Sequence, residues 1–157
     1  MNLGRALAHQ APDAKSVYVI ENNQYAMGTS IERASSETHL HKRGHSFRIP
    51  GEEVDGMDVM AVRLAAEKAA EHARSGKGPY ILEMKTYRYR GHSMSDPQKY
   101  RTREEIEEVR KNRDPIEHLQ EVLEANGWAD EAALKAIDAE VKAIVADAAE
   151  FARTSPE

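Results

Sequence analysis

Two short segments hold most of the side chains whose types and spacing suit chemistry. One runs from Val19 to Ser30 (Val-Ile-Glu-Asn-Asn-Gln-Tyr-Ala-Met-Gly-Thr-Ser), the other from Thr86 to Pro97 (Thr-Tyr-Arg-Tyr-Arg-Gly-His-Ser-Met-Ser-Asp-Pro). In the first, Asn22 and Asn23 follow an apolar run. A carboxamide offers a hard, neutral oxygen. With a backbone carbonyl two residues on, it suits part of an octahedral Mg2+ shell that a carboxylate and ligand phosphates complete. The same pair also suits an ordinary turn, and Glu21 an ion pair or a cap, so residue types alone leave these uses open. In the second segment Gly91-His92-Ser93 lies between Arg88, Arg90 and the turn at Asp96-Pro97. A glycine admits close backbone approach. An imidazole can donate to a phosphate or move a proton near neutral pH. A guanidinium can clamp an oxyanion with two parallel bonds. Ser93 is expected to be exposed beside the arginines, where an added phosphate would form ion pairs and reorder the loop.

The elements that would position these groups are legible as periodicity. Ser16 to Ile20 is dense in β-branched residues and reads as a short central strand. Residues 26–50 show no sustained period and read as a long loop, and loops beyond about 15 residues are usually functional or disordered. Val59, Val62, Ala66, Ala69 and Ala73 recur at helical spacing, which predicts a helix over Asp58–Arg74 capped by Asp55 or Asp58. The turn Ser75-Gly76-Lys77-Gly78-Pro79 ends it, and Tyr80–Thr86 reads as the next strand. Strand, helix, strand implies a parallel α/β unit. Ligands of such folds gather where strands end, so both segments are expected to serve one site. Beyond Arg101, Thr102 with Glu105 suits a capping box, Asp114-Pro115 with Glu117 a second start, and Asp130 a last one. Gly127 is expected to stop the middle helix. In the final helix Leu134, Ile137, Val141, Ile144, Ala148 and Phe151 form one apolar stripe, whose ordinary use is tertiary packing.

Composition narrows the function classes. The chain has 157 residues, a size natural for one domain. Hydrophobic residues make up 40% and aromatics only 6%, so the available core is thin and a partner is expected to complete it. The formal net charge of −5 gives no general pull toward nucleic acid. A basic island nevertheless runs from Lys85 to Arg103, with Asp96 its one acidic residue. That island suits a small anion better than a polymer, unless its charges pair among themselves. With no cysteine, disulfide and thiolate chemistry are excluded. No run approaches the roughly 20 apolar residues of a membrane span, and Met1 to Val17 lacks the apolar stretch of a signal peptide. A cytoplasmic location without membrane association is the expectation. His39, His41 and His45 fit no compact zinc spacing and are expected in a solvated or partly packed loop. Neither a Gly-x-Gly-x-x-Gly nor a phosphate-loop Gly-Lys-Ser/Thr occurs.

The two segments together resemble the alpha subunit of the pyruvate dehydrogenase E1 component, a thiamine-diphosphate-dependent 2-oxoacid dehydrogenase family. Glu21-Asn22-Asn23-Gln24-Tyr25-Ala26-Met27-Gly28-Thr29-Ser30 is similar to the second half of that family's thiamine-diphosphate motif. In the same order come Val54-Asp55-Gly56-Met57-Asp58, then Gly76-Lys77-Gly78-Pro79, then Tyr87 through Pro97. Tyr100-Arg101-Thr102-Arg103-Glu104-Glu105-Ile106 and Asp114-Pro115-Ile116 follow. The resemblance covers Val17 to the end, and Ser-Met-Ser-Asp-Pro favours the pyruvate enzyme over branched-chain relatives. It implies an α/β fold: a partial thiamine-diphosphate-binding domain with a parallel sheet over 1–157, carrying a helical C-terminal extension from about 103.

By the same resemblance the enzyme decarboxylates pyruvate with thiamine diphosphate and Mg2+ and passes the acetyl group to lipoamide on the E2 dihydrolipoyl acetyltransferase. It works as two alpha and two E1 beta subunits, and the beta subunit supplies the glutamate that activates the cofactor's aminopyrimidine. Asn23 would give its side-chain oxygen and Tyr25 its backbone carbonyl to Mg2+. Arg88 and His92 would attend the diphosphate, with His92 also assisting acyl transfer. Ser93 would correspond to the position phosphorylated in mitochondrial relatives. The family's motif opens with Gly-Asp-Gly well ahead of the paired asparagines, and this sequence holds no such triplet. The expectation is therefore a C-terminal portion, a truncated product or half of a split subunit, inactive alone and prone to self-association. The competing expectation is a non-catalytic assembly or oligomerisation module derived from such a subunit.

Overall fold

The computed structural model describes residues 15–156. Expectations about the segment 1–14 lie outside the described residues. Two compact units divide the chain, one running to Pro115 and one beginning at Ile116.

The first unit is built on a three-stranded parallel sheet. Its strands are β1 (Val17–Asn22), β4 (Gly51–Asp55) and β5 (Tyr80–Lys85), in the order β1-β5-β4. Val17 pairs with Tyr80 and Asn22 with Lys85 on one side of β5, while Gly51 pairs with Ile81 and Asp55 with Lys85 on the other. β5 is therefore the central strand, and it reads as one: Tyr80 through Glu83 are all buried. β1, expected at the centre, stands at an edge of the described sheet, with Val19 62% exposed. Because all three strands run the same way, Asn22, Asp55 and Lys85 end at one rim. There the Thr86 N–H donates to the Asn22 carbonyl at 3.0 Å and the Gly56 N–H to the Lys85 carbonyl at 2.9 Å.

The stretch expected as loop is structured. β2 (Tyr25–Ala26) and β3 (Thr29–Ser30) form a small antiparallel hairpin, followed by one helical turn, α1 (Ile31–Ala34). A 3-10 helix spans Leu40–Phe47, and β4 follows it. β4, which the sequence did not single out, joins β5 in parallel through α2 (Val59–Arg74), and the pair that the periodicity implied, β1 and β5, is parallel as well. Asp58 caps α2: its side-chain oxygen accepts from the Met60 N–H at 2.8 Å and the Ala61 N–H at 3.0 Å. Ala69 and Ala73 are buried, and small side chains let the helix lie close to Val54, Tyr80 and Leu82 in the core. Asp58→Ala strands two amide donors at the helix start and is expected to cost about 1 kcal/mol, read as a lowered urea midpoint of unfolding.

α3 (Arg103–Arg113) starts where Thr102 accepts from the Glu105 N–H at 3.1 Å. It returns over the sheet rim, where Arg113 meets Asp55 at 2.6 Å. α4 (Pro115–Ala125) leads into the second unit, and α5 (Glu131–Thr154) makes up most of that unit. Asp130 caps α5 through the Ala133 N–H at 2.8 Å. Leu134 is half-buried, but from Ile137 onward the large side chains of the α5 stripe are not packed away among the described residues, with exposures that run from 51% at Val141 to 73% at Phe151. No helix of the described residues is long and apolar enough to cross a membrane. The fold is a parallel α/β arrangement followed by C-terminal helices.

Candidate functional site at the carboxyl rim of the sheet

The loop leaving β1 is shaped by two successive asparagine turns. Asn22 Oδ1 accepts from the Gln24 N–H at 3.0 Å, and Asn23 Oδ1 accepts from the Tyr25 N–H at 3.2 Å. Gln24 is held at φ 70 and Met27 at φ 56, a left-handed backbone that non-glycine residues adopt at some cost. Of the two asparagine readings, the turn is thus present. It does not exhaust Asn23, since an amide oxygen carries two acceptor sites. Asn23 and Tyr25 border a cleft of about 260 Å³ that Glu21, Gln24, Thr29 and Arg43 also line.

The loop leaving β5 folds onto this first loop. An Arg88 Nη2–H donates to the Met27 carbonyl at 3.2 Å, and the Tyr25 and Tyr100 rings lie 5.0 Å apart. A Cβ on Gly28 would stand 2.9 Å from Tyr100 Cδ1, so only glycine fits beneath that ring. The second loop is held from inside by Asp96. Its Oδ2 accepts from the His92 N–H at 2.8 Å and the Tyr100 hydroxyl at 2.8 Å, and its Oδ1 accepts from the Gln98 N–H at 2.9 Å. The His92 and Gln98 amides and the Tyr100 hydroxyl lower the Asp96 carboxyl to about 2. Gly91 permits this: a Cβ there would sit 3.0 Å from Asp96 Cβ.

Arg88 Nη1 lies 3.3 Å from His92 Nδ1. A guanidinium has no lone pair to offer, so it donates, Nδ1 accepts, and the imidazole proton resides on Nε2. His92 is exposed, and Ser93 beside it is exposed with its hydroxyl 3.0 Å from that of Ser95. Arg101, only 9% exposed, holds the loop's backbone. It donates to the carbonyls of Arg88 and Arg90 and to Gln98 Oε1, and it lies over the Tyr87 and Tyr100 rings. Tyr87 anchors the loop's start through Glu105 at 2.8 Å, and burial followed by that carboxylate pushes its hydroxyl up to about 12.

The structure therefore brings Tyr25 and Met27 of the first loop together with Arg88 of the second, and His92 through Arg88. Sequence reasoning missed the supports: Arg101, Tyr100 and Glu83. Glu83 is fully buried. It accepts from Asn22 Nδ2 at 2.6 Å, from the His41 N–H at 2.9 Å and from His41 Nδ1 at 2.8 Å. A lone glutamate inside an otherwise apolar strand was the available signal, because carboxylates are almost never buried unpaired. Burial pushes the Glu83 carboxyl up, but the His41 amide, the Asn22 carboxamide, the His41 ring and the Leu40 amide outweigh it and hold it at about 2. A depressed folded pKa adds stability in full above the unfolded value near 4.5, and this is lost as pH falls through about 2. Urea midpoints measured across that window are expected to fall, and by less in Glu83→Gln.

His41 and His45 lie in the 3-10 segment rather than in a loop, while His39 stands just ahead of it outside any helix or strand; His39 Nδ1 meets Glu53 at 2.8 Å, as His41 Nδ1 meets Glu83. His41, Glu53 and Glu83 bring ligand atoms within 4.8 Å of one another. The two carboxylates already have partners: Glu83 takes the Asn22 carboxamide and His41, and Glu53 takes His39 Nδ1 and lies 3.7 Å from Lys85.

Two joined loops at the carboxyl ends of parallel strands place the chain among the α/β proteins, a class whose ligands gather at that rim. The chain belongs to the dehydrogenase E1 component family, whose model matches residues 3–157. It is 60% identical over 141 residues to the pyruvate dehydrogenase E1 component subunit alpha of Rhizobium meliloti, covering 90% of this chain and 40% of that protein. It is 54% identical over 140 residues to the corresponding subunit of Zymomonas mobilis (89% and 39%). The testis-specific mitochondrial form of Rattus norvegicus is 54% identical over 142 residues (90% and 36%). The chain thus spans about two fifths of the length of these curated relatives.

Proposed function

We propose that the chain supplies one wall of a thiamine-diphosphate and Mg2+ site in a pyruvate dehydrogenase E1 alpha subunit, of which it forms a C-terminal portion. The observation that carries this is the junction of the two strand-end loops, where Arg88 reaches the Met27 carbonyl and the Tyr100 ring lies tilted against that of Tyr25. The donors at the cleft are hard oxygens, which suit Mg2+. Asn23 Oδ1 and the Tyr25 carbonyl would hold the metal, and Arg88 with His92 Nε2–H would meet the diphosphate. When bound, thiamine diphosphate supplies the electron sink for the carbanion left as carbon dioxide departs. Residues 1–157 would then be part of the thiamine-diphosphate-binding domain, with the helices from about 103 as its extension. Exposed Ser93 would be the position where a phosphate reorders the loop. The E1 beta subunit and the E2 acetyltransferase would be the partners, in the cytoplasm.

Mg2+ is usually held through one or two carboxylates besides phosphates, while Asn23 and Tyr25 offer neutral oxygens. The chain alone is therefore expected to bind the cofactor weakly and to turn over no pyruvate. Calorimetric titration of thiamine diphosphate with Mg2+, on the chain alone and on its assembly with the beta subunit, tests both statements. Tight binding by the chain alone overturns the second. No binding by the assembly overturns the first.

The exposed stripe of α5 favours a second reading, as an assembly module. Its positions 134, 137, 141, 144, 148 and 151 keep the alternating three-four spacing of a helix-pairing seam. Asp138, Glu140 and Asp147 flank it, which disfavours an antiparallel second copy and suits a partner groove edged with lysine or arginine. Co-purification with the beta subunit that Ile144→Asp abolishes, without any cofactor binding, would support this reading over the first.

A further inference from the structure

We infer that Glu83 is the positioning residue of the Asn22–Asn23–Gln24 turn, and through it of the oxygens that Asn23 and Tyr25 present at the rim. This inference rests on the reading of Asn23 and Tyr25 as metal-facing groups. Glu83 lies in the middle strand of the sheet and is fully buried, and its carboxylate is divided between two elements. Oε1 takes the Asn22 carboxamide at 2.6 Å, while Oε2 takes the amide and the ring of His41. An ionised carboxylate only accepts, so Asn22 must turn its Nδ2 toward Glu83. That orientation leaves Asn22 Oδ1 on the opposite side, where it accepts the Gln24 N–H at 3.0 Å. The bond holds Gln24 in its left-handed backbone, and the Gln24 carbonyl in turn accepts the Ile31 N–H at 2.9 Å. The next turn, Asn23 Oδ1 to the Tyr25 N–H, is built on that frame.

Stability is a poor reason for such a residue, since apolar side chains of similar volume often replace buried ionic groups at no cost. Direction is a better one. Only a carboxylate offers two acceptor oxygens that fix both the face of the Asn22 carboxamide and the position of the 3-10 helix. Groups that orient metal ligands from behind typically govern metal affinity by about 10–100-fold.

Mg2+-dependent thiamine diphosphate affinity of the chain assembled with its beta subunit is measured for Glu83→Gln, Asn22→Ser, Asn23→Ala and the Glu83→Gln/Asn23→Ala double variant. Glu83→Gln and Asn22→Ser are each expected to weaken binding about 10–100-fold. The double variant is expected to lose less than the two single losses combined, because Glu83 acts partly through the Asn23 oxygen that Asn23→Ala removes. Asn22→Ser leaves Glu83 its two bonds to His41 and carries the test if Glu83→Gln does not fold. A second readout needs no cofactor. In the amide spectrum of the full chain, the Asn22 carboxamide proton should be shifted far downfield. Glu83→Gln should abolish that shift and move the Gln24 and Tyr25 amides. Additive losses in the double variant, or unmoved Asn22 and Gln24 resonances, overturn the inference. Absence of cofactor binding in the unmodified assembly instead overturns the metal-facing reading, and the resonances still decide the role of Glu83.

Discussion

A His92→Ala subunit, assembled with its beta partner, is expected to keep thiamine diphosphate affinity within about tenfold of the parent while its turnover falls by about 10²–10⁴. The split follows from where the imidazole is held. Its backbone N–H is fastened to Asp96, and its Nδ1 accepts a hydrogen bond from Arg88. The ring therefore has one free nitrogen, Nε2, and that nitrogen carries the hydrogen. On the proposed reading, binding of the diphosphate would be shared with Arg88 and the oxygens of Asn23 and Tyr25, so losing one donor should cost little. The neutral ring can pass its Nε2 proton on only as Nδ1, leaving Arg88, takes another from solvent, and this relay has no such understudy. His92→Gln separates the two roles, because the Gln Nε2–H reaches the same place but cannot transfer a proton at neutral pH. Recovered affinity with turnover still depressed supports proton transfer. Recovery of both would show that His92 acts only as a hydrogen-bond donor, and a large loss of affinity in His92→Ala would move it to the binding site proper.

How much of this was visible in the residues depends on how local the deciding interaction is. Helix α2, its Asp58 cap and the strand that follows are written in spacing and cap chemistry, and they form as read. The grouping of the two loops was visible as well, because parallel strands must end at one rim. β4 was not. Its Gly-Glu-Glu-Val-Asp run buries only Val54, and Glu52 and Glu53 serve partners far off in sequence: Lys68 and Tyr80 for one, His39 and Lys85 for the other. Two acidic residues in a row look like a loop until those partners are in place. β1 fails the other way, since Val17 and Val19 look central by composition yet stand exposed at an edge. The supports of the site were hidden by distance along the chain. Glu83 finds Asn22 across 61 residues, and Arg101 finds the Arg88 carbonyl across 13. No periodicity records such pairs.

The Arg101 contacts set the other large effect. Arg101→Met is expected to cost about 3 kcal/mol, to open the 88–101 loop to protease, and to abolish cofactor binding together with turnover. A single guanidinium ties the carbonyls of Arg88 and Arg90 and the side chain of Gln98, and it lies over Tyr87 at 5.3 Å and Tyr100 at 5.6 Å. Methionine fills similar space but offers no donor. Two carbonyls then lose their partner in a part-buried setting, and the Arg88 backbone is freed. Once that backbone moves, the Arg88 side chain can no longer reach both the Met27 carbonyl and His92, so the two loops part. Arg101→Lys is the sharper variant. It keeps the charge but not the planar fork that serves two carbonyls at once, and it should recover little of the loss. Urea midpoints and the rate of cleavage within the loop measure the effect. Full rescue by lysine would show that charge alone, rather than the forked geometry, holds this loop against the one that leaves β1.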